Sequence, residues 1–198
     1  MANLSQYDYY LVLDLEATCS DQETFDRREM EIIEIGAVMV EANSLALIDE
    51  FQTFVKPVRH PTLTEFCKSL TSITQAQVDQ APSYPEAIAA LTGWLARYPN
   101  SVFGSWGDFD RRQFKQDSSF HNLPYPIPFP HINLKKIFRK TQKLSRRFDM
   151  QEALKLAEIE LEGTHHRGID DARNIAKLLP YILGKKQLNA ASIAQLKT

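Results

Sequence analysis

Residues 9–19 read YYLVLDLEATC, and the change of character inside that stretch decides the fold. Tyr9 to Leu15 is a short apolar run, which predicts a strand buried within a sheet. Asp14 and Glu16 close it two residues apart, so on a strand both carboxylates leave the same face. Two acids at the end of a buried strand repel each other and lose hydration unless a cation neutralises them. Carboxylate oxygens suit Mg²⁺ or Mn²⁺. Taken alone, a D-x-E also fits a strand that simply runs out into water.

Working outward, Ile32 to Val40 predicts a second strand and Leu45 to Val55 a third, joined by a turn at Asn43-Ser44 into an antiparallel hairpin. Thr64 to Leu70 and Thr74 to Val78 read as short helices, with Thr74 and Gln77 spaced as a capping box. Ser83-Tyr84-Pro85-Glu86 opens a longer helix, whose Ile88, Leu91, Leu95 and Tyr98 share one face. Ser101 to Trp106 is a fourth strand, followed by a helix from about Asp108. The four prolines between Leu123 and Pro130 enforce an extended loop, and Ile132 to Leu134 gives a short fifth strand. Met150, Ala153, Leu154 and Ala157 mark another amphipathic helix. A last helix is expected from about Ile169 to Leu183, stopped by Gly184, with a polar tail 185–198 forming a loose or peripheral helix. Strands alternating with helices after a hairpin imply an α/β domain with a central mixed five-stranded sheet, one domain over residues 1–184.

Composition narrows the functional classes. At 198 residues, 43% hydrophobic and 24% charged, the chain can build a full core. No apolar stretch approaches the ~20 residues needed to cross a bilayer, so no membrane role is expected. Cys19 and Cys67 are too few for a disulfide framework, and a reducing cytoplasmic setting is the simplest reading. The net charge of −2 does not advertise nucleic-acid binding, but Lys135, Lys136, Arg139, Lys140, Lys143, Arg146 and Arg147 form an acid-free basic stripe. Such a stripe fits a phosphate track or a solvated helix face.

Two further acidic segments join the first. In WGDFD (106–110), helical spacing sets Asp110 above Phe114, whereas Asp108 lines up with Arg111, Arg112 and Lys115. In HHRGIDD (165–171), Asp171 sits above Ile175, Leu178 and Ile182, whereas Asp170 lines up with Asn174, Lys177 and Tyr181. Asp110 and Asp171 therefore face inward as metal-ligand candidates, leaving Asp108 and Asp170 as helix N-terminal acids. His165–Asp170 and His166–Asp171 are both five residues apart; if Asp171 is the ligand, His166 is its partner and the candidate general base.

At these residues the chain resembles the DEDDh, or DnaQ-like, 3′→5′ exonucleases. The segments EATC, CKSLTSITQAQVDQAPSYPEA and HRGIDDARNIA are most similar to the Eri-type subfamily, which includes histone-mRNA and small-RNA 3′ exonucleases. The resemblance spans roughly residues 7 to 183 and implies an RNase H-like fold. It implies that Asp14, Glu16, Asp110 and Asp171 hold two divalent cations, Mg²⁺ or Mn²⁺, with His166 as general base. The implied reaction releases nucleoside 5′-monophosphates from a 3′ end, of RNA in preference to DNA. Phe66 and Leu70 would wedge and stack on the terminal base, the alternative being that both fill the core behind the third strand, with Ser72 standing where the family carries Gly. Ala17 and Thr18 would present backbone groups to the terminal sugar, and Glu34 on the neighbouring strand would either approach the 3′-OH or serve a structural role. No obligate protein partner is evident, and the chain begins too near its first strand for the relatives' N-terminal nucleic-acid-binding domain. A DNA-directed 3′→5′ exonuclease on the same scaffold, a catalytically silent nucleic-acid-binding module and a ribonuclease-H-type endonuclease are the competing readings.

Overall fold

A computed structural model describes residues 4–22 and 25–189. Its frame is one five-stranded mixed sheet in the order β3-β2-β1-β4-β5. Strands β1 (Tyr9–Ala17), β2 (Ile32–Glu41) and β3 (Leu47–Phe54) form an antiparallel meander. Strands β4 (Ser101–Ser105) and β5 (His131–Asn133) then add in parallel beyond β1. β1 is central because its side chains are apolar on both faces.

Leu11, Leu13 and Leu15 point to one layer, made by α3 (Tyr84–Leu95) and α4 (Phe109–Phe120). Tyr10 and Val12 point to the other, made by α5 (Leu134–Thr141), α6 (Met150–Leu156), α7 (Gly168–Lys177) and α8 (Leu179–Ile182). The same two-residue period carries Asp14 and Glu16 onto the α7 face. A bulge between Glu16 and Ala17 ends the regular ladder at that point. Short helices α1 (Glu65–Thr71) and α2 (Gln75–Asp79) close a small third cluster around Ile33, Cys67 and Val78.

The local signals at α2 and α3 are realised: both capping boxes, Thr74 with Gln77 and Ser83 with Glu86, are made. Three expectations change. The last helix is not continuous from Ile169 to Leu183, because Pro180 has no N–H to offer and the run divides at Leu178 into α7 and α8. The basic stripe is not one helix face either; α5 stops at Thr141, Lys143 turns with φ 55°, and Arg146 is paired with Glu152 at 2.7 Å. Of the expected tail, residues 185–189 form no helix, and Leu188 is buried with its N–H donating to the Gln142 side chain at 2.9 Å. Residues 190–198 lie outside the described residues.

Candidate active site

Two glycines let the site form. A Cβ on Gly36 of β2 would lie 2.0 Å from the Gly168 carbonyl carbon, and one on Gly168 would lie 3.0 Å from the Asp14 carbonyl oxygen. The first turn of α7 therefore rests directly on the backbone of β1 and β2, and Asp171 in that turn arrives beside Asp14 and Glu16. One carboxylate oxygen from each of these three acids lies within 4.8 Å of the others. Asp110, in the first turn of α4, reaches β1 from the other layer; its Oδ1 accepts the Leu15 N–H at 3.1 Å. Asp110 and Asp171 both face inward, each 4% exposed. Asp108 and Asp170 point away, to Asn133 and Arg173.

Crowding shows in the proton affinities. Burial, then Asp110, Glu16, Asp171 and Glu34 hold the Asp14 carboxyl well above the usual carboxylate range. Glu16 is pushed up to about 9 by burial, reinforced by Asp171, Glu34 and Asp110. Burial lifts Asp110 to about 6, and lifts Asp171 against the pull of its His165 hydrogen bond. Acids that burial and mutual repulsion hold in their protonated form are a site where a divalent cation can take the protons' place. The donor set, oxygen only, fits Mg²⁺- or Mn²⁺-type ions.

Glu34 is a different case. Fully buried on β2 opposite Glu16, it accepts from Arg167 Nε at 3.0 Å, the Gly168 N–H at 3.1 Å and Gln52 Nε2 at 3.1 Å. Its carboxylate is committed to clamping the start of α7, the structural one of its two expected roles, and is not free to meet a 3′-OH.

The histidines also differ from the spacing argument. His166 takes a left-handed conformation, φ 63°, and gives Asp171 its backbone N–H at 3.0 Å. The imidazole hydrogen-bonded to Asp171 is that of His165, whose Nδ1 lies 3.0 and 3.1 Å from the two carboxylate oxygens. The His166 ring lies against it, tilted by 31°, with centroids 3.9 Å apart. Burial, and the neighbouring His165, hold the pKa of His166 below the ordinary imidazole value.

Helix α1 borders the acids. The Thr64 hydroxyl donates to the Cys19 carbonyl at 2.7 Å, and the Cys67 thiol to the Ala17 carbonyl at 3.7 Å. Phe66 is 37% exposed and Leu70 half-buried on the outer face of that helix, so neither fills the core. Ser72 caps α1 with φ 59°, the left-handed region that favours glycine. Thr18 corrects another expectation: its N–H donates to the Glu31 carbonyl at 2.8 Å and its hydroxyl accepts the Glu31 N–H at 2.9 Å, so its amide is not available to a sugar.

His165, the Glu34–Arg167 clamp and the Gly36–Gly168 contact were not singled out by sequence. A glycine inside an apolar strand does signal that something approaches its backbone closely. Nothing in the spacing says which segment does.

Comparison with known proteins identifies the family. A family model described as Exonuclease (RNase_T) matches residues 11–179. The chain is 30% identical to 3'-5' exonuclease eri1 of Schizosaccharomyces pombe over 86% of this chain and 66% of that protein. It is 35% identical to ERI1 exoribonuclease 3 of Homo sapiens over 88% of this chain and 53% of that protein. This chain thus spans between half and two thirds of those curated relatives. Among solved structures, the nuclease domain of 3'hExo, a DEDDh family member bound to rAMP, superposes with a TM-score of 0.84 at 30% identity, covering 91% of this chain and 94% of that one.

Proposed function

The chain belongs to the exonuclease family, and from that premise we propose that it hydrolyses the terminal phosphodiester of RNA in the 3′→5′ direction, releasing nucleoside 5′-monophosphates one at a time. The observation that carries the reading is the convergence of Asp14, Glu16 and Asp171, with Asp110 bonded to the intervening Leu15, on one buried locus. These four would hold two divalent cations, Mg²⁺ or Mn²⁺. When bound, such ions supply charge neutralisation on the scissile phosphate, worth several kcal/mol at the transition state.

The remaining work falls to this chain's own groups. The His166 ring, kept neutral near pH 7 by its depressed pKa, accepts the proton of the attacking water on a ring nitrogen. The imidazolium that forms stands beside the Asp171 carboxylate. Phe66 and Leu70 offer the terminal base a stacking surface, and the outward placement of both supports that role. Ala17 borders the same end through its carbonyl contact with Cys67 of α1, and Ser72 closes that helix. A cleft of about 790 Å³ lined by Arg111, Lys136, Lys140 and Lys185 adjoins the start of α4 and would carry phosphates of the incoming strand.

RNA is favoured because one of the named relatives, ERI1 exoribonuclease 3, is called an exoribonuclease and the superposed nuclease domain holds rAMP. All five reacting side chains come from residues 1–184 of this chain, so the chemistry requires no protein partner. The setting we assign is cytoplasmic, where Cys19 and Cys67 remain thiols. Among the described residues no helix is long and apolar enough to cross a membrane.

The test uses matched 5′-labelled RNA and DNA with Mn²⁺ or Mg²⁺, with EDTA, and with Asp14→Asn. A descending one-nucleotide ladder, chelator-sensitive, faster on RNA and reduced at least ~100-fold in the variant is expected. Faster decay of DNA would make the enzyme a DNA exonuclease. Discrete internal cuts, binding without cleavage, or a fully active variant would refute the assignment.

A further inference from the structure

Neighbouring side chains on an extended segment point to opposite sides. At His165-His166 they do not. The left-handed turn at His166, φ 63°, a conformation L residues other than glycine, asparagine and aspartate avoid, swings both imidazoles to one side, 3.9 Å apart. Asp171 completes the group, with His165 Nδ1 at 3.0 and 3.1 Å from its oxygens, and ligand atoms of all three residues lie within 4.8 Å of one another. Nothing in the proposed reaction requires His165.

The donor types differ from those of the four-carboxylate centre. Two imidazole nitrogens and one carboxylate oxygen are a zinc-type set, whereas Mg²⁺ takes oxygens and Mn²⁺ is held far more weakly by nitrogen. A four-coordinate ion with bonds of about 2.0–2.1 Å separates its ligands by about 3.3 Å, close to the His165–Asp171 spacing. His165 and His166 are half-buried, so the group opens to solvent, and a water can fill the fourth position.

We propose that His165, His166 and Asp171 form a third cation site, selective for zinc-like transition ions over Mg²⁺, whose occupation switches the enzyme off. An ion there takes the His166 ring away from the attacking water and draws the Asp171 carboxylate from the catalytic cluster. The inhibitory half rests on the exonuclease reading; the binding half does not.

Cobalt(II) is the probe, titrated into the full chain saturated with Mg²⁺. One equivalent should bind with the intense visible bands of four-coordinate, nitrogen-ligated cobalt, and Zn²⁺ should displace it. His165→Asn keeps a donor for Asp171 but loses the metal-binding nitrogen, and should weaken cobalt at least ~10-fold. In the nuclease assay, the ratio of rates with and without Zn²⁺ should fall sharply for the native chain and stay near one for His165→Asn; the ratio cancels any change in basal rate. Equal cobalt affinity in the two proteins, or equal zinc inhibition, overturns the site. If the native chain releases no mononucleotide with either Mg²⁺ or Mn²⁺, the exonuclease reading falls, while the cobalt titration still decides whether the three residues bind a metal.

Discussion

Replacing Gly36 with alanine should separate the fold from the site more cleanly than replacing any acid. The added carbon would sit 2.0 Å from both the Gly168 carbonyl carbon and the Ile169 nitrogen, and 2.4 Å from the Gly168 carbonyl oxygen. All three are backbone atoms, so no rotamer change relieves the clash. Ordinary contact needs the first turn of α7 to retreat by about 1 Å or more. Overpacking of this kind costs roughly 1–3 kcal/mol, and at ~2–4 °C per kcal/mol for a chain of this size the melting temperature should fall by about 3–10 °C. The larger effect should be on turnover. Asp171 and His166 ride on the displaced segment, and a misplacement near 1 Å costs about 100-fold in rate. Thermal melts and initial rates of mononucleotide release check both numbers at a temperature where the variant is fully folded. Gly93→Ala is the control: it lies exposed within α3, nothing stands within 4 Å of its added carbon, and it should gain about 0.5–1 kcal/mol with unchanged rate. A Gly36→Ala protein with native melting temperature and native turnover would refute the account of how Asp171 is placed.

The raised acids should make the metal-free protein weaken as pH rises. Glu16, ordinarily near 4.5, is held at about 9 in the fold, so between those values the folded chain keeps a proton that the unfolded chain has released, and stability falls with pH. Three pH units at about 1.4 kcal/mol each bound the loss by pH 7.5 at ~4 kcal/mol. Glu16→Gln should therefore raise the melting temperature in EDTA at pH 7.5 and flatten its pH dependence, while abolishing the further stabilisation that saturating Mn²⁺ gives the native chain; a lower melting temperature in EDTA sinks this. Phe66→Ala, at a 37% exposed position, should leave the melting temperature almost unchanged yet lower the rate on subsaturating RNA by about 5- to 100-fold, the range expected from one lost stacking contact of ~1–3 kcal/mol. Loss of stability without loss of rate would return Phe66 to a packing role.

How far the sequence reaches depends on how local each contact is. β1 was legible because an apolar run and a D-x-E with period two are properties of one segment. Asp110 and Asp171 could be told from Asp108 and Asp170 because a helix face is fixed within four residues. The Thr74–Gln77 and Ser83–Glu86 boxes span three. Pro180 carried enough information to divide the last helix, and the apolar periodicity of Ile175, Leu178 and Ile182 concealed it. The rest depended on segments distant in sequence. Glu34 meets Arg167 across 133 residues, and Gly36 meets Gly168 across a similar span. His165 reaches Asp171 only because His166 takes a left-handed turn, which residue spacing does not encode.

The acids of the site are not equivalent, and this yields opposite signs for two substitutions that should cost similar activity. The fold supplies donors to three of them: the Leu15 N–H to Asp110, the His166 N–H and His165 ring to Asp171, and Arg167, Gly168 and Gln52 to Glu34. Among the described residues no donor is given to the side chains of Asp14 or Glu16, where the repulsion concentrates. Asp14→Asn removes a carboxyl whose ionisation burial and the neighbouring acids oppose and no described residue offsets, so in EDTA it should stabilise. Asp110→Ala removes the acceptor of a buried backbone N–H inside the central strand, and an unsatisfied buried donor costs about 1–3 kcal/mol. It should lower the melting temperature in EDTA by several degrees, even though it also relieves charge. Asp110→Asn is the discriminating third variant: its retained Oδ1 can still accept from Leu15, so it should lose activity and recover most of that stability. If Asp110→Ala and Asp14→Asn instead shift the metal-free melting temperature in the same direction, the two carboxylates differ only in charge, and the Leu15 hydrogen bond carries none of the strand's stability.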